Sequence, residues 1–206
     1  MNTFSFPMSL RDVFIQTCQF FDADMDPDFI NNDIIISGLD NVSEQPTGLD
    51  ILGYIAEMAA GYAFVNLDNE IQISTYTQSS IALTPSNSTN ILQKEYTVQA
   101  IDKLIVRTKD NEYIFGDGEN PYLIEGNPFM ELEDVRNAAA PEILAELSKY
   151  QYVPAEIGLI EDYGIKCGDI VLVNTKPALI MSKEISGSGI KLKCYGNSTR
   201  DPIEEK

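Results

Sequence analysis

Residues 47–74 constrain the fold more than any other part of the sequence. Thr47 and Asp50 form a helix-capping pattern, and the side chains that follow are apolar almost all round. A helix of that composition has to be packed between other elements. Gly61 predicts a left-handed C-terminal cap, and two β-prone segments around Asp68-Asn69 predict a hairpin with a tight turn. This stretch therefore predicts a helix from about 49 to 60, a cap and a hairpin in direct succession.

Two further helices are predicted from capping and apolar spacing. Ser9 and Asp12 form a capping box ahead of residues with a three-and-four apolar repeat, which predicts a helix over 9–21. A second apolar stripe predicts a helix near 131–150. Pro141 lies inside that stripe, and we expect it to kink or restart the helix.

The second half of the sequence is predicted to be mainly β. Residues 79–90 are rich in Ser, Thr, Pro and Asn without periodicity, which is typical of a connector. We therefore expect an α+β fold with two domains. Residues 1–90 would hold two helices and a hairpin, and 91–206 a mainly β, barrel-like domain with an inserted helix. Runs of β-branched and aromatic residues predict strands at 96–101, 103–108, 112–115, 155–160, 169–174, 179–182 and 190–195.

The charge balance argues against several classes of partner. The chain has 14 Lys and Arg residues against 32 Asp and Glu residues, a formal net charge of −18. Such a chain repels nucleic-acid phosphates and anionic lipid headgroups. The sequence also lacks an apolar run of the ~20 residues needed to cross a bilayer, and its start lacks the pattern of a signal peptide. We expect a protein made in the cytoplasm that binds neither a membrane nor nucleic acid specifically.

The residue types needed for common catalytic sites are missing. The sequence contains no histidine, which excludes Ser-His-Asp and Cys-His nucleophile pairs and HExxH metal sites. Cys18, Cys167 and Cys194 are widely spaced and predict buried thiols rather than a disulfide or zinc site. The Gly-rich stretch 116–121 lacks both phosphate-loop patterns and predicts a loop between strands. We predict no catalytic, cofactor-binding or metal-binding residues.

Two acidic features of the sequence contain residue types found in binding or catalytic sites. Residues 22–28 begin like a calcium-binding loop, but Pro27 and Asp33 stand where such a loop needs Gly and Glu. This segment therefore predicts a solvated acidic turn. The acidic pairs Asp24/Asp26 and Glu131/Glu133 are the type of residues that a glycosidase uses, although the lack of Trp disfavours sugar binding.

Three segments together resemble a known family. Residues 50–73 read DILGYIAEMAAGYAFVNLDNEIQI, residues 126–130 read GNPFM, and residues 152–156 and 165–173 read YVPAE and IKCGDIVLV. In this order and spacing they resemble segments of tail-associated hub (baseplate, minor structural) proteins from phages and prophages of Gram-positive bacteria. The family's hairpin turn is usually Asp-Gly, whereas this chain has Asp68-Asn69, which is compatible because Asn also enters left-handed conformations.

The resemblance implies a structural role in a virion tail. It implies an α+β fold with barrel-like β domains, arranged as a homotrimer around a channel at the tip of the tail tube. It also implies contacts with the tail tube and the distal tail protein, and no catalytic residues in this region. An acidic channel wall would keep passing DNA from sticking. Family members usually carry an extra N-terminal β segment and long C-terminal extensions, so we expect either a trimmed form of such a protein or a shortened relative.

Two other functions remain open from the sequence. Ten tyrosines and the acidic loops are compatible with a receptor-binding or carbohydrate-binding module. The family's habit of carrying cell-wall hydrolase domains leaves a carboxylate-based hydrolase as a further alternative.

Overall fold

The computed structural model describes residues 4–38, 46–66 and 68–196. This part of the chain mixes helices with a larger number of strands, which confirms the predicted α+β class. The helices are α1 (Leu10–Phe20), α2 (Gly48–Met58) and α3 (Glu133–Leu147). The strands are β1 (Met8–Ser9), β2 (Asp24–Asp26), β3 (Ile35–Ile36), β4 (Tyr62–Val65), β5 (Glu70–Ser74), β6 (Thr77–Leu83), β7 (Asn90–Gln93), β8 (Lys103–Arg107), β9 (Glu112–Phe115), β10 (Pro121–Glu125), β11 (Ala155–Leu159), β12 (Asp169–Val173), β13 (Lys176–Leu179), β14 (Ser182–Ser186) and β15 (Gly189–Cys194).

The chain divides into two compact units, and each is built from two separate stretches. Unit 1 comprises Met1–Thr75 and Ile101–Lys149, and unit 2 comprises Tyr76–Ala100 and Tyr150–Lys206. This division differs from the predicted boundary after residue 90, which falls inside β7. The predicted inserted helix, α3, belongs to unit 1. The difference arises because β6 and β7 pair with strands far along the chain, and such pairing has no local sequence signature.

The first two helices of unit 1 begin at the predicted caps, with a single side-chain bond at Ser9 and a full capping box at Thr47. The Ser9 hydroxyl accepts a hydrogen bond from the Asp12 N–H at 3.1 Å. Thr47 and Asp50 form a reciprocal capping box, with distances of 3.2 and 2.8 Å. Each cap satisfies backbone N–H groups that have no partner inside the helix. The predicted helix bounds agree with the observed ones within two residues.

The junction between α2 and the hairpin differs from the prediction in one residue. Ala60, with φ 52°, occupies the left-handed position that was predicted for Gly61. Gly61 is needed for a different reason: a Cβ there would lie 2.2 Å from the Ser74 carbonyl oxygen. The predicted hairpin is confirmed, since β4 and β5 pair antiparallel and Asn69 has φ 65°. Residue 67 lies outside the described residues.

The acidic segment predicted as a turn contains an edge strand. Strand β2 pairs in parallel with β5, in a sheet of order β2-β5-β4. Asp24 and Asp26 are exposed, whereas Met25 between them is half-buried. Alternation of one apolar and two charged side chains is compatible with a sheet edge, where charge opposes pairing with another chain.

Helix α3 and a second three-stranded sheet complete unit 1. The sheet has the order β10-β8-β9, with β8 and β10 parallel and β8 and β9 antiparallel. The helix runs through Pro141 as one element, so the predicted restart does not occur, and a kink there stays a prediction. Pro141 is exposed, whereas Ala140 and Ile143 beside it are buried. Burial of the helix's apolar side chains outweighs the backbone hydrogen bond that proline removes.

Unit 2 consists of two open sheets around one apolar core. The sheets have the orders β14-β15-β11-β7 and β13-β12-β6, and neither closes on itself among the described residues. The predicted barrel-like form is thus a pair of open sheets. The core is formed by buried aliphatic side chains from both sheets, among them Leu83, Ile157, Leu159, Ile170, Val171, Val173, Leu179, Ile190 and Leu192.

Three local predictions in unit 2 are wrong. The predicted connector at 79–90 contains most of β6, which pairs in parallel with β12. The predicted strand at 96–101 forms only an isolated bridge between Val98 and Tyr152. The predicted strand at 179–182 spans the break between β13 and β14. Edge strands of polar composition and short apolar runs carry little periodicity, and tertiary pairing decides them.

Candidate functional site

A buried asparagine joins two of the family-like segments in unit 1. Asn127 is 3% exposed and belongs to the segment that precedes α3. Its Nδ2 donates to the carbonyl oxygen of Tyr54 at 3.0 Å and to Oε2 of Glu57 at 2.9 Å, both on α2. Its Oδ1 accepts from the Phe129 N–H at 3.1 Å. Two hydrogen bonds of this side chain therefore tie the 126–130 segment to α2, and the third holds the segment's own backbone.

The carboxyl group of Glu57 is perturbed by this environment. Burial raises its pKa, and the hydrogen bond from Asn127 partly offsets that rise. The side chain that faces this carboxyl group is an amide, which neither titrates nor acts as a nucleophile. The arrangement holds backbone segments in place, and the adjacent Phe129 and Met130 fill the core beside it.

A buried arginine holds the loop between Asn127 and α3. Arg136 is 2% exposed, and its Nη1 donates to the carbonyl oxygens of Met130 at 2.9 Å and Glu131 at 3.1 Å. The guanidinium carbon lies 3.6 Å from the centre of the Tyr113 ring, a cation–π contact. Sequence reasoning missed Arg136; the available signal was a single charge within the apolar stripe of α3.

The acidic pairs considered from the sequence lie in solvent or serve the backbone. Asp24 and Asp26 are exposed on the edge strand β2. The Glu131 carboxylate accepts the Lys109 N–H at 3.1 Å. Within residues 4–38, 46–66 and 68–196, no group of three or more His, Cys, Asp or Glu side chains is placed to hold a metal. The absence of catalytic, cofactor and metal residues stays a prediction.

The three cysteines differ in burial. Cys18 and Cys194 are buried as predicted, and burial raises their thiol pKa to about 11 and about 12. Cys167 is exposed, which corrects the prediction of a buried thiol.

In the 116–121 loop, confirmed as a loop between strands, a Cβ on Gly118 would lie 1.9 Å from the Asp102 carboxyl carbon. A carboxylate of the chain itself therefore occupies the concave side of this loop.

The outer face of the β10-β8-β9 sheet presents an apolar row. Ile105 of β8 lies in register with Leu123 of β10 on one side and with Ile114 of β9 on the other. Ile114 is 59% exposed and Leu123 is 41% exposed. We refer to Ile105, Ile114 and Leu123 as the apolar row.

In the described part of the chain, no helix is both long and apolar enough to span a membrane.

Comparison with known proteins detects likeness in structure but not in sequence. No protein-family model and no curated protein matches the chain. A chain from the virion of a native gene transfer agent particle matches with 13% identity and a TM-score of 0.55, over 97% of this chain and 50% of that chain. The 43 kDa tail protein of prophage MuSo2 from Shewanella oneidensis matches with 12% identity and a TM-score of 0.48, over 91% of this chain and 63% of that chain. The tail protein from Neisseria meningitidis MC58 matches with 13% identity and a TM-score of 0.48, over 91% of this chain and 67% of that chain.

The match to the gene transfer agent virion establishes a shared fold. It extends over nearly the whole of this chain, at a sequence identity that carries information on fold alone. The chain spans half of that virion chain and about two thirds of each of the two tail proteins. The fold of this protein is therefore one that is also built into a virion particle.

Proposed function

We propose that the protein is a structural component of a phage or prophage tail, located in the hub or baseplate. The observation that carries this proposal is that 97% of this chain shares its fold with half of a virion chain. In this role the chain works by contact with its neighbours and performs no catalysis. The longer relatives contain further segments, and their activities are not transferred to this chain.

The packing of unit 1 supports the same role. The 50–73 and 126–130 segments resemble hub proteins in sequence, and Asn127 joins them through two hydrogen bonds to α2. The two segments are far apart in the sequence but pack together in unit 1, so their resemblance to hub proteins concerns one packed region. The two family-like segments then contribute to one structural junction rather than to two unrelated ones.

The proposed assembly is a homotrimer around a DNA channel, in contact with the tail tube and the distal tail protein. The net charge of −18 supports a channel wall from which DNA slides without binding. Assembly in the virion tail would follow synthesis in the cytoplasm of the bacterial host.

The proposal is tested by locating the chain in particles. A tagged copy is expressed in the strain that encodes it, tail particles are induced and purified, and the tag is located by immunogold electron microscopy. We expect labelling at the tail tip and, by quantitative mass spectrometry, three copies per particle or a multiple of three. Particles that lack the chain, or that carry it only along the tube, would overturn the hub assignment.

A further inference from the structure

The apolar row lies on a sheet face that the fold of unit 1 leaves open. Leu104, Val106 and Ile124 point to the opposite face, where they are buried on the side of α3. Ile105, Ile114 and Leu123 point away from it, because successive side chains of a strand alternate between faces. In a two-layer unit the outer face of an antiparallel or mixed sheet is normally polar. Three aliphatic side chains in register across all three strands depart from that rule.

The other large sheet of the chain shows how its solvated faces are built. On the outer face of the β14-β15-β11-β7 sheet, Lys191 pairs with Glu156 and Lys193 pairs with Glu184, each at 2.6 Å. Cross-strand ion pairs of this kind are typical of a face in contact with water. The apolar row has no such pairs within it, and its side chains lose water contact only when another surface covers them.

The charges around the apolar row are mainly negative. Arg107, two residues beyond Ile105 on the same face of β8, is already held by Glu112 at 3.1 Å and Glu125 at 3.2 Å. At the other end of the sheet, the half-buried Lys103 shares the face of the row, and Asp117 and Glu119 are exposed in the loop between β9 and β10. Residues 102–125 carry six acidic and three basic side chains. The row is thus an apolar centre with an acidic rim.

This charge pattern selects the kind of partner. A second copy of the chain that docked through the same face would bring an identical acidic rim against the first. In that second copy, Arg107 would also be held by Glu112 and Glu125 of its own chain. A surface with an apolar centre and a rim of Lys and Arg complements the row in both respects.

We propose that the outer face of the β10-β8-β9 sheet is a docking surface for a different, basic-rimmed protein of the tail. The inference rests on the proposed tail function and names the chemistry of one neighbour within it. Ile105, Ile114 and Leu123 supply the buried contact, and the acidic rim steers and orients the partner. Such an interface weakens as salt rises, since its rim charges are exposed.

The test compares two variants with the same chemical change. Ile114→Glu places a charge in the apolar row, and Leu92→Glu places a charge on β7 of unit 2. The two positions are matched in exposure, since Ile114 is 59% exposed and Leu92 is 60% exposed. The probes are the purified tail proteins encoded beside this chain, each measured by biolayer interferometry in about 0.05 M and about 0.5 M NaCl. We expect one probe to bind the wild type, to lose about tenfold or more in affinity with Ile114→Glu, and to be unaffected by Leu92→Glu. Binding should also weaken in the higher salt.

The outcomes separate this inference from the proposed function. Wild-type protein that enters particles, together with equal binding of both variants, overturns the docking surface and leaves the tail function standing. Wild-type protein that is absent from particles overturns the function itself. Failure of every probe to bind, binding that is insensitive to salt, or self-association abolished by Ile114→Glu would each contradict a basic-rimmed partner. Thermal unfolding of both variants shows whether a lost interaction reflects a lost fold.

Discussion

At the residue scale, Asn127 is the polar group on which unit 1 depends most clearly. It is 3% exposed, and its amide uses both of its functions on the backbone and one carboxylate. Buried polar groups are stable only when they are hydrogen-bonded, so removing one partner exposes the others to the full cost of desolvation. Asn127 is therefore both a connection between segments and a point where one substitution affects several groups.

We predict that Asn127→Ala lowers the free energy of unfolding by about 2–4 kcal/mol. The substitution leaves the Phe129 N–H, the Tyr54 carbonyl and the half-buried Glu57 carboxyl without the bonds they form with the amide. Urea-induced unfolding followed by circular dichroism measures the change. Asn111→Ala is the matched control, because Asn111 is exposed and a surface substitution of this kind stays within about 0.5 kcal/mol. Equal effects of the two variants would contradict the structural role of Asn127.

At the element scale, the junction of α2 with the hairpin shows why two glycines of one helix region differ. Gly53 lies within α2 with nothing near its missing Cβ, whereas Gly61 lies against the backbone of β5. Glycine in a helix costs conformational entropy on folding. At Gly53 no close contact requires a glycine, so that cost is not offset. At Gly61 the close approach of helix and strand requires it.

We predict opposite effects for the same substitution at these two positions. Gly53→Ala should raise the free energy of unfolding by about 0.5–1 kcal/mol through helix propensity. Gly61→Ala should lower it by about 1–3 kcal/mol, because its Cβ would lie 2.2 Å from the Ser74 carbonyl oxygen and the hairpin would have to shift. Differential scanning calorimetry of the pair measures both signs. A stabilising Gly61→Ala would show that the hairpin packs less closely on the helix end.

At the scale of the whole molecule, the chain passes between the two units three times. Residues 76–100 contribute β6 and β7 to the sheets of unit 2, and 101–149 return to unit 1. Each unit therefore needs stretches of chain that are far apart in sequence. Contacts of this range are formed late and at high entropic cost, and they leave no contiguous half of the chain complete.

We predict that neither half of the chain, cut after residue 90, folds on its own. A fragment of 91–206 lacks β6, the parallel partner of β12, and carries α3 without α2. A fragment of 1–90 lacks the β10-β8-β9 sheet and the Asn127 junction. Two-dimensional NMR spectra of the fragments should show poorly dispersed amide signals, whereas the full chain gives a dispersed spectrum. A cooperative unfolding transition in either fragment would instead support contiguous domains.

The sequence predicted those parts of the fold whose causes are local. Capping at Ser9 and Thr47, the all-round apolar α2 and the turn at Asn69 act within a few residues, and each appears where it was expected. The strand β6 was missed because its composition is polar. The restart of α3 at Pro141 was wrongly predicted because the burial of the neighbouring side chains is not visible locally. The sequence indicated the family-like 126–130 segment but did not predict its hydrogen bonds to α2.

What the amino-acid sequence alone determined was the class of the fold, the central helix–hairpin element and the strong negative charge, since propensity, capping and composition act residue by residue. Only the tertiary structure decided the two interleaved units, the buried positions of Asn127 and Arg136, and the register that aligns Ile105, Ile114 and Leu123 on one face. These features depend on pairing between distant strands. Such pairing is selected by the packing of the whole core, which no short window of sequence contains.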